Sequence, residues 1–278
     1  MTGASGTVGR EVVRRLPPQH TVRVMTRRPD TYRHTRPGTQ VVGGDFTDED
    51  SLARAVRGVT AAFLVTSPLT TGWDERFLHA AHRARVEHVV KLSAAAVLDP
   101  GADDTITRRQ RTCEYLLRTS GLAWTLLRPR AYMSNTLTWA HTIRTQHTVH
   151  ALHHTSPVAC IDPRDIADVA AHTLTQPQHT GHAYQLTGPT PLTPLQQTTT
   201  LAHLLGHPLH CHEQGEHNAR TTWRTTYPEP IVQALLHRAR RQQAGTKTHT
   251  HTTTITHTTG HPARTYTTWA TDHLTHFT

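Results

Sequence analysis

Apolar and polar positions alternate along the first third of the chain in two kinds of block. After Thr2-Gly3-Ala4-Ser5-Gly6-Thr7-Val8-Gly9, the stretch Arg10 to Leu16 predicts an apolar, basic helix through Val12, Val13 and Leu16. Pro17 and Pro18 stop it. His20 to Thr26 then alternates Val22 and Val24 with polar neighbours and predicts a strand; Val41-Val42-Gly43-Gly44-Asp45-Phe46 predicts a second. Thr47 to Ser51 supplies capping residues and carboxylates suited to the positive end of a helix, whose buried stripe is Leu52, Ala55 and Val56. Thr60 to Thr66 is almost continuously apolar, as a strand covered on both faces should be. A helix around Gly72 to Arg85 turns Phe77, Leu78 and Ala81 inward, and Glu87 to Ala94 holds a further strand, Val89-Val90-Lys91-Leu92-Ser93.

This alternation predicts an α/β fold built on a doubly wound parallel sheet, whose ligands sit beyond the carboxyl ends of the strands. Those ends are the glycine-rich loop, Arg27, Asp45, Thr66-Ser67 and Ser93, all small or polar. Three glycines spaced as Gly3, Gly6 and Gly9 let the backbone turn tightly and approach a pyrophosphate, with the positive end of a helix facing the anion. The same spacing also occurs in ordinary glycine-rich loops; the agreement of several separated strand ends is what turns it into a dinucleotide site. The strand before Arg27-Arg28-Pro29 ends without an acid that could accept from a ribose 2′-hydroxyl. A guanidinium there suits a 2′-phosphate, which favours NADP over NAD; a solvated basic turn is the alternative. Asp45 and Phe46 suit the edge and face of an adenine.

A strand is missing from this plan. The centre of the sheet calls for an apolar strand directly before the loop, yet only Met1 precedes Thr2. The expectation is a start assigned late, at a valine codon such as GTG within the strand, and a shortened form with reduced stability and weaker cofactor binding because central ladder hydrogen bonds are lost.

Length and charge change the picture little. The 278 residues bury a substantial core, and no run approaches the roughly 20 apolar residues of a membrane span. No charged region followed by an apolar run marks an export signal. Cys113, Cys160 and Cys211 are widely separated and odd in number, which fits a reducing cytoplasm rather than a disulfide framework. The net charge of +9 is spread along the chain. Only Lys91 and Lys247 are lysines among 29 basic residues, while threonine and histidine abound, a skew we read as nucleotide-composition bias. Neither nucleic acid nor membrane is expected as a partner; a small-molecule substrate is. His147, His150, His153, His154 and the run Thr246 to Thr259 lack a recognisable ligand spacing, so no metal is expected.

With the loop in place, the chain resembles the NmrA-like atypical short-chain dehydrogenase/reductases, and within them the bacterial NAD(P)H azoreductase and quinone oxidoreductase-like branch. Supporting stretches are Val89 to Ser93, Ser120 to Pro129, Ile161-Asp162-Pro163-Arg164-Asp165-Ile166-Ala167-Asp168-Val169-Ala170, Tyr184 to Pro189 and Thr259 to Tyr266. The resemblance implies one NAD(P)-binding domain over 1–278, with a Rossmann-type core over about 1–128 and the remaining core elements plus a small C-terminal substrate lobe over 129–278. It implies NADPH as cofactor, with Gly3, Ser5, Gly6, Thr7, Val8, Arg27, Asp45, Phe46, Thr66 and Ser67 in contact with it.

Ordinary members of the wider superfamily use Tyr-x-x-x-Lys with a serine to protonate a carbonyl oxygen. No such pair is present here. Where the resembling family often has a histidine and a glutamate four residues on, this chain has Gln110 and Glu114. The residues expected around the nicotinamide are Ser93, Gln110, Tyr132 and Asn135, a set better at orienting a substrate than at acid catalysis. Hydride transfer can still proceed by proximity, with solvent protonating the product. The expected activity is NADPH-dependent reduction of a quinone-like, azo or other conjugated small molecule, in specialised metabolism or detoxification. A non-catalytic NADP(H) sensor and a redox-neutral tailoring enzyme are the alternatives.

Overall fold

A computed structural model describes residues 1–33, 36–67, 69–244 and 252–278. The chain forms two compact units. The first comprises Met1–Ala95, Arg108–Pro129 and Pro163–Gln185; the second comprises Ala96–Thr107, Arg130–Asp162 and Leu186–Thr278.

In the first unit the predicted alternation is present. Helix α1 (Thr7–Arg15) is followed by β1 (Arg23–Thr26), β2 (Gln40–Gly43), α2 (Glu49–Val56), β3 (Ala61–Leu64), α3 (Trp73–Arg83), β4 (His88–Leu92), α4 (Thr105–Thr119) and β5 (Ala123–Pro129). Strand β1 pairs parallel with β2, Arg23 opposite Gln40. Strand β3 pairs parallel with β4, and β4 with β5. Successive side chains of a strand face opposite ways. Ala62, Leu64, Val89 and Leu126 accordingly pack with Leu52, Phe77, Leu78 and Leu117 of α2, α3 and α4, while Phe63, Val90 and Leu127, equally buried, belong to the other face. That double covering is why β3 reads as an unbroken apolar run.

The second unit is built on β6 (Thr148–Ala151), which follows α5 (Ala140–Gln146) and pairs with a later strand. Between them the chain returns to the first unit for α6 (Pro163–Thr175) and β7 (His182–Leu186), whose place gives the order β3-β4-β5-β7. Helix α6 packs its buried Ile166, Ala167 and Ala170 inward, and Asp168 pairs with Arg15 of α1 at 2.7 Å. Helix α7 (Pro194–Leu205) carries a capping box in which Thr193 and Gln196 bond each other's backbone, and β8 (His210–Glu213) lies against β6. Helices α8 (Glu216–Arg224), α9 (Glu229–Gln243), α10 (Thr254–Thr259) and α11 (Tyr266–Asp272) complete the chain. Tyr266, Trp269 and Phe277 are the buried aromatic anchors of this unit. Residues 246–251 of the threonine and histidine run lie outside the described residues.

The centre of the first unit's sheet is held by two residues. The sheet of the first unit falls into a pair, β1-β2, and a four-stranded piece, and residues Met1 and Thr2 stand between them. The Met25 amide donates to the Met1 carbonyl at 2.9 Å, and the Thr2 amide to the Phe63 carbonyl at 3.0 Å. The terminal amine donates to the Arg23 carbonyl at 2.5 Å. Toward the amino ends of the strands, where β1 and β3 have no neighbour between them, lies a cavity of ≈ 680 Å³ lined by Met1, Val22, Arg23, Thr60, Ala61 and Phe63 among others.

Candidate functional site

Two residues hold the glycine-rich loop to the sheet. The Thr2 hydroxyl donates to the Val65 carbonyl at 2.9 Å and accepts from the Val65 amide at 2.7 Å, fixing the loop beside the end of β3. Gly3 has φ of 64°, and a β-carbon on it would meet the Val65 β-carbon at 2.9 Å. The closest approach is made by a third glycine, Gly9. A β-carbon there would stand 2.1 Å from the Gly3 carbonyl oxygen, so the first turn of α1 can lie against the loop only without a side chain. The Gly6 amide donates to the Gly3 carbonyl at 3.0 Å, closing the turn.

At the entrance of α1 no side chain caps the helix and no acid stands in its first turn. Its leading amides and positive end thus remain for an anion. Ser5, Gly6 and Thr7 are exposed there; Val8 is buried and offers only its backbone. These features fit a pyrophosphate.

Past β1, Arg27 and Arg28 are exposed, and no carboxylate takes the place where a ribose acceptor would stand. Beyond β2, Asp45 accepts from the Thr47 amide at 2.8 Å and the Thr47 hydroxyl at 2.7 Å. Those hydrogen bonds, with help from the charges of Arg27 and Arg76, hold its carboxyl below the usual range. Arg27 and Asp45 therefore share one corner. The Phe46 ring stacks on Trp73 with centroids 4.8 Å apart, so one of its faces is already covered.

At the ends of β3 and β4 the sequence shows less than the structure. The Lys91 ammonium, fully buried, meets the Asp74 carboxylate at 2.5 Å, and the Thr66 hydroxyl joins them, donating to Asp74 at 2.8 Å and accepting from Lys91 at 3.3 Å. Burial by itself would raise the Asp74 carboxyl; the Lys91 charge and the hydrogen bonds from Lys91 and Thr66 outweigh it and hold it low. Thr66 is thus committed to the ion pair through its hydroxyl. Ser67 accepts from the Leu69 amide at 3.2 Å.

Ser93, buried at the end of β4, donates to Glu114 of α4 at 2.5 Å. Arg128 of β5 holds the same carboxylate with two nitrogens, Nε at 2.9 Å. One turn earlier on α4, the Gln110 Oε1 and the Nε and Nη2 of Arg109 are buried without a hydrogen-bond partner. Tyr132 and Asn135 belong to the second unit. Burial pushes the Tyr132 phenol up to about 12, and Asn135 is exposed. That unit has its own cavity of ≈ 180 Å³, lined by Met133, Val158, Cys160, Leu192, Gln197 and Tyr266 among others. His150 and His212 stack across β6 and β8, and the His153 and His154 amides donate to Glu213; among the described residues no three metal-ligating side chains come together. No described helix is long and apolar enough to cross a membrane.

The family model described as NAD(P)H-binding matches residues 3–177, from the glycine loop through α6. The chain belongs to the NAD(P)H-binding family. Within it the chain is an NmrA-like, atypical short-chain dehydrogenase/reductase with NAD(P)H as cofactor. It is 46% identical over 277 residues to a (4-alkanoyl-5-oxo-2,5-dihydrofuran-3-yl)methyl phosphate reductase of Streptomyces griseus, covering 100% of this chain and 98% of the relative. It is 32% identical over 216 residues to an NAD(P)H azoreductase of Xenophilus azovorans, 75% of this chain and 74% of that one. Among solved structures, an NADPH-dependent quinone oxidoreductase from Escherichia coli complexed with NADPH shares the fold with a TM-score of 0.82, at 22% identity over 99% of this chain and 98% of the other.

Proposed function

We propose that this NAD(P)H-dependent reductase uses NADPH to saturate the ring double bond of a furanone carrying an alkanoyl group and a phosphomethyl arm. The observation that carries the reading is the end-to-end likeness to the Streptomyces griseus reductase. It narrows the conjugated electrophile expected from the sequence to an alkene flanked by two carbonyls. The free amides at the start of α1 hold the cofactor's pyrophosphate, and Arg27 its 2′-phosphate. When bound, NADPH supplies a hydride to the ring carbon that bears the arm. The displaced electron pair moves onto the two carbonyl oxygens, where hydrogen-bond donors stabilise it. The carbon between the carbonyls takes its proton from solvent. Ser93, tied to Glu114 and through it to Arg128, is a fixed polar group rather than a mobile proton carrier.

NADPH oxidation with the alkanoylfuranone methyl phosphate and with a panel of quinones and azo dyes tests the reading. A kcat/KM for the furanone well above that for every quinone is expected; turnover of the quinones alone would overturn it. Arg27→Ala should raise KM for NADPH about tenfold or more while leaving NADH nearly unchanged. Equal affinity of the parent for both cofactors would defeat the 2′-phosphate assignment.

A further inference from the structure

Helix α4 carries two side chains with buried polar atoms that no described residue satisfies. Its buried face repeats by turns: Cys113 and Glu114 on one turn, Arg109 and Gln110 on the turn before. The later pair is fully engaged. The Cys113 thiol lies within the fields of Lys91, Asp74 and Arg109, and Glu114 is held by Ser93 and Arg128. The earlier pair is not: Arg109 Nε and Nη2 and Gln110 Oε1 lack partners.

Two guanidinium nitrogens buried without a partner are unfavourable, and the carboxylates Asp74, Glu114 and Asp104 are already paired with other cations, Lys91, Arg128 and Arg238. The chain follows each parallel strand upward and returns down its helix, so the early turns of α4 lie toward the carboxyl ends of the strands, where Ser93 stands. The cofactor's own anionic groups are accounted for on the other side of the strand order. The glycine loop lies between β1 and β3, and Arg27 ends β1, whereas α4 connects β4 to β5.

We propose that Arg109, with Gln110 beside it, is the binding site for the phosphate monoester of the substrate. The inference rests on the proposed function, which supplies a substrate with such a group. Two adjacent guanidinium nitrogens match two phosphate oxygens in a forked pair, and rotation of the Gln110 amide puts its NH2 where the orphaned oxygen stands, adding a third donor. Gln110 is then a substrate-binding residue, and its inability to carry a proton is no defect. Arg109 also sets specificity, because a substrate lacking the phosphate leaves its two buried nitrogens without a partner.

The test compares the phosphate ester with the corresponding free alcohol, using the parent, Arg109→Gln and Arg109→Lys. The parent should prefer the ester in kcat/KM by about a hundredfold. Arg109→Gln should collapse that preference to below about fivefold, chiefly through KM, and Arg109→Lys should fall between because it keeps the charge and loses the fork. Inorganic phosphate should inhibit the parent competitively against substrate, and Arg109→Gln should be at least tenfold less sensitive. Far-UV circular dichroism and the thermal midpoint report whether the variants are folded, and fluorescence titration gives the dissociation constant for NADPH. The inference is overturned if Arg109→Gln keeps the ester preference, or if it weakens NADPH binding as much as ester binding, which would place the cofactor's phosphates at Arg109. If the parent reduces quinones but neither furanone, the proposed function fails, and loss or retention of phosphate inhibition in the variant still decides the anion site.

Discussion

The two edges of the first unit's sheet are built on opposite terms. At the carboxyl edge nearly every buried polar group has an assigned partner: Thr2 with Val65, Thr66 and Lys91 with Asp74, and Ser93 and Arg128 with Glu114. At the amino edge the strands diverge around a cavity, and two residues carry the backbone contacts from one sheet piece to the other. The glycine-rich loop hangs on one of them, because Thr2 both bridges the pieces and clamps the loop. Stability of the sheet centre and order of this loop are thereby coupled.

The largest effect on this contrast is expected from breaking the satisfied edge. Lys91→Met leaves the Asp74 carboxylate buried without its cation and should lower stability by about 3–5 kcal/mol in urea unfolding. Adding Asp74→Leu should recover much of the loss; if the single variant is as stable as the parent, the ion pair does not organise this edge. Next comes Gly9→Ala, which leaves the sheet in place but forces the loop away from α1. NADPH affinity should drop about a hundredfold, by analogy with other strained core insertions costing about 1–3 kcal/mol, with far less change in thermal midpoint than for Lys91→Met.

A smaller effect of opposite sign is expected at the open edge. Fusing four β-branched residues ahead of Met1 gives β1 and β3 a neighbour, and new ladder hydrogen bonds at about 0.5–1.5 kcal/mol each should raise both the unfolding midpoint and NADPH affinity. The same extension removes a pH dependence. Burial, helped by Arg23, lowers the Met1 amine from 8.0 to about 5. Between those values the unfolded chain binds the extra proton, so the amine's contribution makes the parent more stable as pH rises from about 5 to 8. The difference in unfolding free energy between extended and parent forms should therefore be greatest near pH 5 and shrink toward pH 8; a constant difference would show that the amine is not buried.

Much of the carboxyl edge was legible beforehand because it depends on local rules. Glycine spacing, alternating strands and an uncapped helix start are properties of contiguous residues, and the positions of the loop, Arg27, Asp45 and Thr66 at the strand ends follow from them. The sequence offers the Phe46 ring for the face of an adenine but does not show that Trp73 stacks on one side of it. Gln110 reads from sequence as a group that orients a substrate and cannot deliver a proton, and its neighbour Arg109 is not marked, since a lone arginine on a basic helix carries no pattern of pairing. Glu114 was noted by its spacing, but nothing in the order of residues joined it to Arg128.

What the sequence by itself determined is the alternation of strands and helices, the phosphate-ready loop and the family, because each follows from periodicity or from residues adjacent along the chain. Only the tertiary structure decided that Thr2 clamps the loop, that Gly9 is its tightest point, that Lys91 is spent on Asp74 and that Arg109 is left without an anion. Each depends on which residues fold into contact, as Thr2 and Val65 do from 63 positions apart. They depend on which strands become neighbours and on which charges are already matched when they do, and a one-dimensional pattern does not carry that information.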